Sequence, residues 1–216
     1  TTAAMGQPAI SADGRWVAFF SSARNLVPGV SNISRGEIYL RDTVAGATLW
    51  PSREAINLVR SNMQFTSAPV PMHPVLSADG RYVTFAAGWT NNTVTPPSGT
   101  TFATVLLQFD ALTQTTTVID TNGYPPASSY EEIYGPEATP DGRFVGYAAR
   151  FGNTLSTNCT LRRWDRQTGT TVGVSIDLVG GIMTNSASVA PVLSADPSGP
   201  MLMVSHANTN PGLTKK

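Results

Sequence analysis

The sequence predicts an all-β fold, a β-propeller of four-stranded antiparallel blades, with three full blades and a half blade in its 216 residues. Two observations predict it. A turn phrase recurs as Ser11-Ala12-Asp13-Gly14-Arg15, Ser77-Ala78-Asp79-Gly80-Arg81 and Thr139-Pro140-Asp141-Gly142-Arg143, with a worn copy at Ser194-Ala195-Asp196-Pro197-Ser198-Gly199. Each of the three full copies is also followed by two further β-rich runs, the first of them ending in Asp. Four antiparallel strands per repeat make a propeller blade. The four turn aspartates stand 66, 62 and 55 residues apart. Blades usually repeat every 40–50 residues or so, so long loops between strands are expected.

The first two strands of each unit flank the turn. Pro8–Ser11, Pro74–Ser77, Pro136–Thr139 and Pro191–Ser194 precede it. Trp16–Phe20, Tyr82–Ala86, Phe144–Ala148 and Met201–Ser205 follow it, rich in the aromatic and β-branched residues that suit a half-buried pleated strand. Asp-Gly between two such runs reads as a hairpin with a type I′ turn, which requires positive φ at both central residues.

Third strands follow at Glu37–Asp42, Val105–Asp110 and Thr160–Asp165, and fourth strands at Thr48–Trp50, Thr115–Ile119 and Thr170–Ser175. Asp42, Asp110 and Asp165 are expected to accept hydrogen bonds that fix the turn into the fourth strand. Arg15, Arg81 and Arg143 are expected to make ion pairs from blade to blade. The blades then span about 8–51, 73–120, 135–178 and, for the half blade, 190–206, within 1–216 read as a single propeller domain or a portion of one. Gly88–Thr101 reads as an irregular surface loop, and 53–60 fits neither a helical nor a strand period.

The ordered series Pro-x-x-Ser-x-Asp-Gly-Arg-aromatic, strand ending in Asp, then Thr-Gly or its equivalent resembles the TolB-like propellers built from WD40-like (PD40) repeats. Three copies match over most of their length and the fourth over its first half. The resemblance implies a propeller fold and an exported protein, and a fold of this kind hosts many functions. Many long-blade relatives carry an acidic, Asn-rich loop after the second strand. Here that loop reads Asn25–Asn32 with Val30 where an aspartate would stand, and with Glu37 near, so calcium, which takes several oxygen ligands, is not expected there.

Formal net charge is zero and charged residues are 13% of the chain. A nucleic-acid partner, which needs a basic surface, is therefore not expected. No apolar run reaches the roughly 18 residues that span a bilayer. The only lysines are Lys215 and Lys216, and Cys159 is the single cysteine. This composition suits an exported protein, periplasmic, cell-surface or extracellular, whose signal segment is not in this sequence. A half blade leaves an unpaired edge, a liability that proteins cover, so a protein partner or self-association through open blade edges is expected.

Loops between blades, and between second and third strands, gather at one end of a propeller, where a rigid scaffold presents them for binding. The candidate ligand or partner surface there comprises Phe65, His73, Trp89, Tyr124, Tyr130, Glu131, Glu132, Tyr134 and Phe151. Aromatic faces beside carboxylates suit stacking on sugar rings, which makes carbohydrate a further candidate ligand. The plainer role for these aromatics is packing their own loops. No cofactor and no metal site is expected, because His73 and His206 have no second ligand at zinc spacing. Glu131 and Glu132 are adjacent and would point to opposite faces of a strand, which argues against a glycosidase pair. No Gly-x-Ser-x-Gly elbow occurs.

The repeated Asp13, Gly14, Arg15, Asp79, Gly80, Arg81, Asp141, Gly142 and Arg143 recur in every full unit, which is what a structural role predicts. The reading is a non-catalytic interaction or structural module of the cell envelope or an extracellular assembly, with no catalytic residue assigned. Alternatives are a carbohydrate-binding or polysaccharide-lyase propeller, and the propeller portion of a prolyl-oligopeptidase-like enzyme.

Overall fold

A computed structural model of the chain describes residues 7–30, 36–55, 57–58, 70–91, 101–121, 132–150, 159–174, 192–193 and 202–203. Three four-stranded antiparallel meanders form the blades of the propeller. Blade 1 holds β1 (Ala9–Ile10), β2 (Trp16–Ser21), β3 (Glu37–Asp42) and β4 (Thr48–Leu49); blade 2 holds β5 (Val70–Leu76), β6 (Tyr82–Asn91), β7 (Thr101–Asp110) and β8 (Thr115–Asp120). Blade 3 holds β9 (Glu132–Ala138), β10 (Phe144–Arg150), β11 (Cys159–Asp165) and β12 (Thr170–Gly173). A two-stranded hairpin, β13 (Val192–Leu193) with β14 (Leu202–Met203), starts the fourth unit in the register of β1 with β2.

The turn is tighter in its logic than a type I′ hairpin and differs from the expectation. Gly14, Gly80 and Gly142 have φ of 73°, 77° and 67°, while Asp13, Asp79 and Asp141 do not have positive φ. The Gly14 N–H donates to Ser11 O at 2.9 Å, and the pattern repeats at Gly80 and Gly142. This is a type I turn followed by a left-handed glycine, one of the frames for four-residue hairpin loops. Side chains complete it. The Ser11 hydroxyl donates to Asp13 Oδ1 at 2.6 Å, the same oxygen accepts the Arg15 N–H at 3.0 Å, and Ser11 Oγ accepts the Trp16 N–H at 2.9 Å. Asp therefore serves through its side chain, not through backbone tolerance.

The arginine after each turn pairs inside its own blade, not with the neighbouring one. Register places Trp16 opposite Asp42, Tyr82 opposite Asp110 and Phe144 opposite Asp165. Each arginine, one step earlier, grips that aspartate with Nε and Nη2; for Arg81 the distances are 2.9 and 2.7 Å. The fork matches both carboxylate oxygens. Asp42 Oδ1 also accepts the Val44 and Ala45 N–H groups, and Asp110 and Asp165 accept those of Leu112 and Gln167, so each aspartate does fix the turn into the fourth strand.

Side chains on one face of a blade meet the opposite face of the next. Ala18, Ile38 and Leu40 of blade 1 pack with Val83, Phe85, Ala87, Val105, Leu107 and Phe109 of blade 2. Leu106 and Ile119 of blade 2 pack with Ile133, Val145, Tyr147, Ala149 and Trp164 of blade 3. Full burial of each valine, leucine, isoleucine or phenylalanine among them contributes about 1.5–3 kcal/mol. The two faces are termed leading, toward the preceding blade, and trailing, toward the next.

Two local expectations change. Trp89 lies on β6, paired with Ala103, because that hairpin runs on to Asn91↔Thr101; the Gly88–Thr101 stretch is strand at both ends. Glu132 and Tyr134 likewise lie on β9, inside blade 3. Residues after β4 form a helical turn, with the Leu58 N–H donating to Glu54 O at 2.9 Å and Ala55 buried in the core.

Candidate functional site

The junction between blades is the most developed recurring surface of the chain. Trp16 on blade 1 covers Gly80 of blade 2, and Tyr82 covers Gly142 of blade 3 so closely that a Cβ on Gly142 would fall 2.5 Å from Tyr82 Cδ2. Backbone bonds run parallel to these seats. The Ala12 N–H donates to Ala78 O at 2.8 Å and the Ala78 N–H to Pro140 O at 2.7 Å. Guanidinium groups stack on the rings that follow the turns: Arg81 at 4.8 Å and blade 3's Arg166 at 4.1 Å from the Tyr82 centroid, and Arg143 and Arg163 at 4.6 and 4.9 Å from that of Phe144. Cations over ring faces are attracted by the ring quadrupole.

Polar side chains bind blade 2 to blade 3 as well. Buried Gln108 donates from Nε2 to Gly142 O at 3.1 Å. Asp120 Oδ2, at the end of β8, accepts the Tyr147 hydroxyl and the Arg162 Nη1, each at 2.6 Å. This pair is a blade-to-blade ion pair, the role expected of the turn arginines. Burial, with the neighbouring Asp120 charge, pushes the Tyr147 phenol well above its ordinary value.

Among the described residues the leading face of blade 1 lacks this cover. A Cβ on Gly14 would meet none of them within 4 Å, whereas those on its counterparts Gly80 and Gly142 collide with a seated ring. Ile10 is 64% exposed, while Leu76 and Ala138 at the same place pack against the cores. Val17 and Phe19 are half-buried; their counterparts Val83, Phe85, Val145 and Tyr147 are fully buried. The loop after β2 shields the rest of the face, with Leu26, Val27 and Val30 against Phe19 and Tyr39. The Tyr39 hydroxyl donates to Ala23 O at 3.1 Å. Val30, at the place read as a missing metal ligand, is thus a buried apolar plug.

Beneath that loop lies a buried carboxylate, Glu37, 6% exposed. Its Oε2 accepts the Ser52 hydroxyl and, at 3.2 Å, the Trp50 indole N–H. Burial outweighs these donors and holds its pKa above the ordinary value. The turn partners go the other way: the bidentate arginines hold Asp42, Asp110 and Asp165 below the usual carboxylate range. A cleft of about 380 Å³ opens nearby, lined by Val27, Pro28, Trp50, Arg53, Phe109 and Gln114 among others. Sequence reasoning found neither Glu37's role nor this cleft; Trp50-Pro51 at the blade end was the available signal.

Of the surface read from the sequence, His73 is exposed and sits at a bulge of β5 with φ of 53°. Trp89, Glu132 and Tyr134 are placed on β6 and β9. Phe65, Tyr124, Tyr130, Glu131 and Phe151, with His206, lie outside the described residues. Among the described residues no group of three or more His, Cys, Asp or Glu is arranged to hold a metal ion. Also among them, no helix is long and apolar enough to cross a membrane.

No protein-family model matches the sequence, and no curated protein matches it at a significant level. Solved structures do. An oligogalacturonate lyase in complex with manganese superposes with a TM-score of 0.52 and 11% identity, over 88% of this chain and 44% of that one. An acylaminoacyl peptidase from Pyrococcus horikoshii gives 0.50 and 8%, over 85% and 26%. TolB from Acinetobacter baumannii gives 0.47 and 16%, over 91% and 36%. The chain is a β-propeller chain. At these identities the likeness concerns fold alone, and the chain spans less than half the length of each of these three proteins.

Proposed function

We propose that the chain is a non-catalytic propeller module that works by protein–protein contact, self-association included, in the cell envelope or an extracellular assembly. One observation carries this reading: the leading face of blade 1 keeps apolar side chains, Ile10 foremost, partly in water although the same positions are covered in blades 2 and 3. Apolar surface of that kind favours a partner. The placement outside the cytosol rests on composition, a single cysteine and no lysine before Lys215.

The repeated charges support a structural role. Arg15–Asp42, Arg81–Asp110 and Arg143–Asp165 hold hairpins, and Arg162–Asp120 holds two blades. A catalytic group stands apart from its repeat-mates, and the three turn pairs do not. The sugar-directed and peptidase-linked readings rest on fold likeness, which does not carry activity.

The test is the native mass of the purified 216-residue chain by light scattering across concentration, beside a β-elimination assay on polygalacturonate. Association without lyase activity is expected. Turnover of the polymer that disappears in His73→Ala would replace this reading with the carbohydrate one.

A further inference from the structure

We propose that the cleft where β4 of blade 1 meets the β7–β8 hairpin of blade 2 is a binding site for a short neutral sugar, whose ring lies on the Trp50 indole and whose hydroxyls are held by Gln114, Thr116, Arg53 and Glu54. This goes beyond the contact-module reading above and does not rest on it.

Three observations meet at this place. The first is an aromatic side chain fixed in position. Trp50 is half-buried and lines the cleft. Its indole packs against the cluster of Val30 and Tyr39, and its N–H donates to Glu37 Oε2 at 3.2 Å. Glu37 is itself buried, and the same oxygen accepts the Ser52 hydroxyl. Burying a carboxylate costs stability, and here the carboxylate sets the orientation of the ring. A ring fixed beforehand gives up little freedom when a ligand binds.

The second is Gln114. It stands at φ of 54°, where the same turn of blades 1 and 3 has Gly46 and Gly169, each at 68°. Glycine is the residue that this backbone favours, so the turn does not account for a glutamine. Strained residues of this kind gather at ligand-binding places, and Gln114 lines the cleft.

The third is the chemistry of the lining. Trp50 and Phe109 supply apolar surface, and Thr116 a hydroxyl. Arg53 and Glu54 are 72% and 50% exposed, with Arg53 Nε 3.7 Å from Glu54 Oε1, too far for a hydrogen bond. A guanidinium only donates, a carboxylate only accepts, and amides and hydroxyls do both. One positive and one negative group give an ionic ligand no net attraction. An apolar ligand would strip water from the polar groups and return no hydrogen bond. A hydroxylated ring without charge answers all of them, with C–H groups for the indole and hydroxyls that donate to Glu54 and accept from Arg53. The cleft volume of about 380 Å³ lies at the small end of the roughly 300–1,000 Å³ of small-molecule sites. That size suits one or two sugar rings.

The probes are the neutral disaccharides cellobiose, maltose, lactose and chitobiose. Each is titrated to about 20 mM against the 216-residue chain, followed by tryptophan fluorescence and by saturation-transfer NMR of the sugar. Saturable binding of at least one, with a Kd of about 10 mM or less, is the expected result. Gln114→Gly and Arg53→Ala should each weaken it by about threefold or more, as for one lost hydrogen bond. Gln114→Gly is the sharper variant, because relieving a left-handed glutamine does not lower the urea midpoint, so lost binding is not lost folding. Val172→Gln, an exposed position of blade 3 outside the cleft, serves as the control. The fluorescence response should be absent in Trp50→Phe.

Binding of none of the four sugars, or binding that both cleft variants leave unchanged, would overturn this inference. Digalacturonate bound about tenfold more tightly than all four would show that Arg53 reads a carboxylate, and would overturn the neutral ligand. A fluorescence response that persists in Trp50→Phe would put the sugar on another indole and overturn the site. None of these outcomes bears on the contact-module reading, which light scattering tests separately.

Discussion

The indole of Trp16 fills the space that a side chain on Gly80 would need, so blade 1 locks onto blade 2 through the absence of a Cβ. Gly14 shares the left-handed φ of Gly80, but no described residue lies within 4 Å of where its Cβ would stand. Alanine at either position strains the backbone, and only Gly80→Ala adds overlap with a packed ring. Gly80→Ala is expected to be less stable than Gly14→Ala by about 1–3 kcal/mol, the usual cost of overpacking. Urea denaturation at low protein concentration measures the difference. Equal losses would mean that the ring moves aside freely.

Two positions use a poor residue for a left-handed place. Gln114 has φ of 54° where Gly46 and Gly169 stand at the same turn of blades 1 and 3. His73 has φ of 53° at the β5 bulge where blade 3 has Gly135 at 58°. Left-handed backbone costs a residue with a Cβ roughly 1–2 kcal/mol, against a glycine entropy cost of about 0.5–1. Gln114→Gly and His73→Gly should therefore each stabilise by about 0.5–1 kcal/mol. A loss of stability in His73→Gly would show that its side chain holds a contact worth more than the strain.

Glu37 makes stability fall with rising pH. A carboxyl whose pKa is higher in the folded chain binds its proton more tightly there, so stability declines as pH rises from the ordinary value of 4.5 through the raised one. Asp42, Asp110 and Asp165 act in the opposite sense, and their contribution is lost only as pH falls below 3.8 through their lowered values. In Glu37→Gln the amide oxygen still accepts from Ser52 and Trp50, so the decline above pH 4.5 should shrink to what Glu137, also raised by burial, contributes, while the acid limb stays. Thermal midpoints from pH 3 to 8 for both proteins decide it; parallel curves would sink the assignment.

The hairpins were legible because Asp-Gly between apolar runs has few other solutions, and the third-strand aspartates because they recur at one offset from each turn. The turn class was not, since type I with a left-handed glycine and type I′ draw on the same dipeptide. The arginine partners were missed for a related reason. Recurrence marks Arg15 and Asp42 as structural, but only the register Trp16↔Asp42 shows that they meet within one blade. Trp89 was read into a loop because the Thr, Asn and Pro after it outweighed a strand whose pairing partner lies beyond them. Glu37 was invisible as a core residue because its burial depends on Ser52 and Trp50, far along the chain. That no described residue covers Gly14 became apparent only by comparing three copies in space.

The Tyr147–Asp120 bond is where blade 3 grips blade 2 with a charge. Tyr147 is fully buried, its hydroxyl lies 2.6 Å from Asp120 Oδ2, and Arg162 shares that oxygen. In Tyr147→Phe the ring still packs with Val145 and Trp164, and Asp120 keeps Arg162, so no charge is left without a partner. The loss should be about 1.5–3 kcal/mol, the range for one hydrogen bond to a charged acceptor, read from urea midpoints. Arg162→Met removes the compensating charge and should cost more, because the carboxylate then stays at the junction without its arginine. Alkaline difference absorbance gives an independent reading. With its phenol held far above the ordinary value by burial and by Asp120, Tyr147 should contribute nothing until the chain unfolds, and Tyr147→Phe should leave the pre-unfolding titration unchanged. A titration amplitude that drops by one tyrosine below the unfolding pH would show that the hydroxyl is open to solvent and the inter-blade bond is not made.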